Sequence, residues 1–128
     1  MALEQIVCKI GLKALSDLST KQFYALQLIS GTDYGCNLAT ASTQKPGGVL
    51  QNKPTSGKAA DSVFVGLTKA VAGGTIHVGD RVTATSDGTF VATTTAKDFT
   101  WGYSLTEASS GDVFSFFANI AGGRDSGN

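Results

Sequence analysis

The chain has 128 residues and a mass of 13.1 kDa, with ten Lys and Arg against ten Asp and Glu, so its formal net charge is zero. That length allows one domain and excludes a large multi-domain enzyme, while balanced charge without a basic run excludes phosphate-driven binding to nucleic acid. Sixteen Gly, twelve Ser and fifteen Thr stand against two Pro, a mix that favours short strands and turns over long helices.

Residues 1 to 18 carry the densest aliphatic content and no turn cluster. Ile6, Cys8, Ile10 and Leu12 alternate as in a strand, whereas Leu3, Ile6, Val7, Ile10 and Ala14 also satisfy a helix face. Gly11 in the middle favours a strand or an extended arm. Residues 22 to 29 then form an aromatic and aliphatic run ended by Ser30-Gly31, and with 36 to 40 they predict a hairpin. A polar loop at 39 to 48 leads to a strand at 48 to 51, a turn carrying Pro54 and Gly57, and strand material from 62 to 71. Between Gly73-Gly74 and Gly79-Asp80 the chain has room for a three-residue strand from Thr75 to His77. Asp87-Gly88 joins two alternating segments and predicts a two-residue type I′ hairpin. The block from Trp101 to Gly123 closes the ordered chain. The division is therefore an N-terminal arm at 1–16, a single β-rich domain at 17–122 and a polar tail at 123–128.

Two stretches echo each other. Gly48 precedes Ser56-Gly57 as Gly102 precedes Ser110-Gly111, and each pair leads into an aromatic-containing strand. This is a weak internal repeat of strand, turn and strand.

Catalytic chemistry has little to work with. His77 is the one histidine, so a Ser-His-Asp or Cys-His arrangement would have to be built around it, and no G-x-S-x-G elbow presents a serine. Ser56-Gly57-Lys58 fails as a phosphate loop, because Asn52 stands where a glycine is needed and Ala59 where a Ser or Thr is needed. Asp80, Asp87 and Asp112 lack the closely spaced carboxylates of a calcium loop and read as turn residues. Cys8 and Cys36 fit neither a zinc site nor a CxxC motif and read as reduced, part-buried thiols. No enzyme activity, cofactor or metal is expected. Neither is a membrane span or a signal peptide, so the expected site of synthesis is a cytoplasm. The remaining candidates for recognition are aromatic. On the C-terminal strand Phe114 and Phe116 share one face, with Val113, Ser115 and Phe117 on the other. The second face is either covered by the N-terminal segment or open as a binding surface.

The stretches GVLQNKP at 48 to 54, AGGTIHVGDRV at 72 to 82 and the block from Gly102 to Asp112 resemble small capsid cement or head decoration proteins of tailed bacteriophages. The resemblance spans residues 17 to 120 and rests on strand and turn patterns. It implies an all-β fold, a small β-barrel or β-sandwich, here with an extended N-terminal arm. It also implies a virion protein made in the bacterial host cytoplasm, placed on the outer capsid surface and bridging neighbouring major capsid proteins. A homotrimer at threefold or quasi-threefold positions is part of that implication. Residues 1 to 14 have no counterpart in the family pattern, which makes Leu3, Ile6, Val7, Cys8, Ile10 and Leu12 candidates for contact with the capsid or a neighbour by strand addition. The other placement is a fold-back over the chain's own barrel. On the arm reading a chain lacking residues 2–12 keeps a folded body. An alternative function is a tail or host-attachment domain that binds a carbohydrate through Trp101 and Tyr103.

Overall fold

Period-two alternation broken by frequent turn residues gives strands, and here the strands join one continuous sheet. The computed structural model describes residues 5–42, 45–94 and 99–120, the side chains of 5–7 excepted. Among them are nine strands: β1 (Gln5–Ala14), β2 (Ala25–Leu28), β3 (Gly35–Leu38), β4 (Pro46–Leu50), β5 (Ala59–Val71), β6 (Arg81–Ala84), β7 (Phe90–Ala92), β8 (Gly102–Ser104) and β9 (Val113–Asn119).

The run β1, β3, β2, β4, β5 closes on itself because β1 also pairs antiparallel with β5, from Gln5↔Leu67 to Lys13↔Ala59. The result is a five-stranded barrel, the small all-β fold that the resemblance implies. Residues 5–14 are therefore a barrel strand and no extended arm, and of the two placements open for this segment the fold-back is the one observed. The reason is burial: Leu12 and Ala14 join Leu18, Leu26, Cys36, Leu50 and Ala60 in the barrel interior, and closure leaves the first half of β5 without an open edge.

At 13 residues, β5 is long enough to serve twice. Its second half pairs with β9 from Val65↔Asn119 to Val71↔Val113, and β9 continues through β8 and β6 to β7. Just past β5, Ala72 bridges Phe90 of β7 in parallel, and the Gly73 N–H donates to the Phe90 carbonyl at 2.7 Å. A second ring of β5, β7, β6, β8 and β9 results.

The two rings repeat one pattern down to single pairs. In the first, Leu12 and Lys13 face Ala60 and Ala59; in the second, Ala70 and Val71 face Phe114 and Val113. Val49↔Val63 and Leu50↔Ser62 correspond to Tyr103↔Phe117 and Ser104↔Phe116. The parallel contact of Ala14 with Cys36 corresponds to that of Ala72 with Phe90. The connecting loops, 51–58 and 105–112, are equally long, and each holds a turn with glycine at positive φ, Gly57 and Gly111. The Gly57 and Gly111 N–H groups donate to Ala14 and Ala72, which donate in turn to Lys58 and Asp112. The sequence echo thus marks the β4–β5 and β8–β9 hairpins of a tandem repeat that shares β5. Its paired glycines share a steric cause, since a Cβ at Gly48 or Gly102 would collide with the carbonyl of Val63 or Phe117, the same point on the facing strand; at Gly48 the Ser62 hydroxyl and a positive φ add to it.

Two local expectations are corrected. The Asp87-Gly88 turn is a three-residue loop, because Thr85 accepts from the Gly88 N–H and donates its own N–H to Thr89, with Gly88 alone at positive φ. Asp87 accepts hydrogen bonds from the Thr85 and Thr89 hydroxyls, which favours a type I turn with a glycine bulge over type I′. Between Gly73 and Asp80 there is only a single bridge, Ile76↔Ala108. The polar tail at 123–128 lies outside the described residues.

The second barrel is packed with aromatics where the first uses aliphatics. Phe90 meets Trp101 edge-on at 5.3 Å between centroids, Phe116 at 5.1 Å and Phe114 at 6.4 Å. Such pairs contribute about 0.5–1.5 kcal/mol each beyond their buried area.

Candidate interaction surfaces

Alternation along β6, β8 and β9 sends Val82, Phe114, Phe116 and Ala118 inward. The cross-strand row of Arg81, Tyr103 and Phe117 is thereby turned outward. Tyr103 is 52% exposed and Phe117 42%; Leu105, two residues past Tyr103, and Val113, at the far end of β9, are exposed as well. This is the open alternative for the second face of the C-terminal strand. Large apolar side chains grouped on an outer sheet face are a signature of contact surfaces. Trp101 is buried within the core, so of the pair considered for carbohydrate only Tyr103 faces solvent.

The N-terminal candidates are divided by the fold. Leu3 lies outside the described residues, and Ile6 and Val7 belong to β1 with side chains outside the description. Leu12 is core, Cys8 is half-buried and Ile10 is 37% exposed. The pairing of β1 with β5 shifts register between Ile6 and Lys9, so the alternation that suggested one binding face does not run straight. Cys36 is buried and its thiol is pushed up to about 11 by desolvation, which keeps it protonated and unreactive.

A polar cluster surrounds the lone histidine. The His77 Nδ1 lies 2.8 Å from Glu107 Oε1, Glu107 Oε2 accepts from the Val78 N–H at 2.7 Å, and Asp80 accepts from the His77 N–H at 2.9 Å. His77 and Glu107 line an open hollow of about 250 Å³ together with Thr75, Ile76, Ala108, Ser109 and Asp112. Asp112 on its edge accepts from the Ser109 N–H. The carboxylates brace turns, and among the described residues no group of three His, Cys, Asp or Glu is placed to hold a metal ion.

The Glu107 hydrogen bond and charge raise the His77 pKa above 6.5, and the Val78 and His77 contacts lower that of Glu107. For His77 the stabilising contribution is full below the unfolded value and lost as pH rises through the raised folded value. For Glu107 it is present above the unfolded value and lost as pH falls through the lowered one. The pair therefore acts in the window between the two folded values. An NMR titration of the His77 ring is expected to give a midpoint above 6.5 that falls in Glu107→Gln; an unchanged midpoint contradicts the pairing.

No family model and no curated protein matches this chain. Among solved structures it is similar to the crystal structure of the N base of head fiber gp8.5 of bacteriophage phi29, with 22% identity and a TM-score of 0.69. The match covers 88% of this chain and 94% of that one, so the two share a fold over nearly their whole lengths.

Proposed function

We propose that this chain is a structural protein of a tailed-phage virion, a capsid cement or decoration protein that binds the outer surface of the expanded head and bridges neighbouring major capsid proteins. The observation that carries the reading is the shared fold with a phage head fiber base. Zero net charge and an exposed apolar row fit it, because copies crowded on one lattice gain from low mutual repulsion. Three copies at a threefold or quasi-threefold position belong to the same proposal, and Ile10 with Cys8 remains at the surface for contact with the capsid.

The mechanism is adhesion. A protein that binds only the assembled, expanded shell stabilises that state by mass action, and many copies on one lattice multiply the effect without a tight single site. Mixed with expanded, undecorated heads of its own phage, the purified protein is expected to co-sediment and to raise the temperature at which they release DNA. Failure to co-sediment defeats the reading, and a hit on a glycan array would favour attachment to a carbohydrate instead.

A further inference from the structure

The tandem repeat gives the exposed row a counterpart whose partner is visible. In the first barrel the same positions are Ala25, Val49 and Val63, joined across β2, β4 and β5. All three are fully buried. Ala25 and Val49 belong to the hydrophobic cluster that fills the second barrel, together with Phe90, Phe114 and Phe116. The row in the first barrel is thus the seat on which the next barrel sits. That next barrel touches it with its β6–β7 turn: the Ala25 N–H donates to the Gly88 carbonyl at 2.8 Å, and Gly88 packs against Leu38 and Tyr24.

In the second barrel the corresponding row is larger, and Tyr103 and Phe117 in it are exposed. The first barrel, for its part, has the β2–β3 turn, whose Tyr34 carbonyl accepts from the Lys13 N–H of β1 at 2.8 Å while the Tyr34 ring stands exposed. Two residues before Phe90 stands Gly88; two residues before the matching Cys36 stands Tyr34, the corresponding place in the β2–β3 turn. Both have positive φ, 82° and 58°. A bulky residue held in that conformation is strained by about 1–3 kcal/mol, and Tyr34 carries the strain while 72% exposed. Leu28, which pairs with Cys36 at the start of the same hairpin loop, is exposed as well.

We infer that the row of Arg81, Tyr103 and Phe117 is the docking seat for a second copy of this chain, which seats its Tyr34 turn there head to tail. The repeat suggests the occupant, since the element on the equivalent seat inside the chain is the β6–β7 turn, the second barrel's counterpart of the Tyr34 turn and two residues shorter. Arg81 offers a guanidinium plane for the Tyr34 ring, and Tyr103 and Phe117 supply the buried aromatic anchors such contacts depend on. The contact is heterologous, with one surface from each copy. The inference deepens the cement reading by naming a neighbour, and rests on it only for the setting in which copies meet.

Sedimentation of the full chain over rising concentration is expected to show reversible self-association. Phe117→Asp and, on the opposite surface, Tyr34→Ala should each weaken it by about tenfold or more, with thermal unfolding confirming that both stay folded. In a Cys8→Ser background, Asp33→Cys and Leu105→Cys chains, which keep Tyr34 and the row intact, treated with a short bismaleimide should cross-link when mixed and stay monomeric separately. Cross-linking of either variant alone, or none in the mixture, overturns the inference. A monomeric wild type whose head binding is lost in Phe117→Asp overturns it too, because the row is then a capsid contact. Self-association without co-sedimentation leaves the inference standing and defeats the cement reading.

Discussion

Phe90→Ala is expected to cost about 3–5 kcal/mol of folding stability, a large share of the roughly 5–15 kcal/mol available to a domain of this size. Phe90 is fully buried and touches Trp101, Phe114 and Phe116, so its removal leaves a cavity that three rings, two of them on β9, would have to fill. Phe90 also pairs with Ala84 and bridges Ala72, at the point where the second barrel closes. Urea unfolding followed by Trp101 fluorescence measures the loss directly, because that indole lies against the deleted ring. Cys36→Ala, the corresponding position in the first barrel, should cost far less, since much less volume is lost. Equal costs at the two sites would mean that the aromatic cluster is no keystone.

Deletion of residues 2–12 is expected to abolish cooperative folding. It removes most of β1 and takes Leu12 from the first barrel's interior. The first half of β5 is left with an unpaired edge, a template for aggregation. Near-UV circular dichroism and size-exclusion chromatography should show loss of fixed aromatic packing and soluble aggregates. A truncated chain that stays monomeric and melts sharply would instead restore the N-terminal segment to the status of an arm.

Much of the architecture was legible in local signals. The alternation of Ile6, Cys8, Ile10 and Leu12 gave a strand, Ser30-Gly31 and Asp87-Gly88 gave hairpins, and the spacing of Gly48 and Gly102 from Ser-Gly pairs marked the repeat. Strand partners were another matter. Nothing local says that β1 closes on β5, because that pairing depends on which distant edge is left open after the hairpins form. The turn at Gly88 was mistyped for a related reason: the dipeptide suits two turn types, and the choice falls to the Thr85 and Thr89 hydroxyls around Asp87. The exposed row was half visible. Alternation placed Phe117 opposite Phe114 and Phe116, but whether a neighbour covered it depended on the sheet order. Tyr34 gave no signal at all, since its importance lies in a backbone conformation ordinarily left to glycine.

Sharing β5 between two barrels has a mechanical consequence. Tandem domains joined by a linker can swing, and the angle between their surfaces then varies from one molecule to the next. Here no linker intervenes: the strand that finishes the first ring begins the second, so the Tyr34 turn and the Tyr103 row are held at one angle by continuous backbone. Each molecule behaves as a wedge of fixed taper, and any ring or row built from such wedges takes its curvature from the protein's own covalent frame.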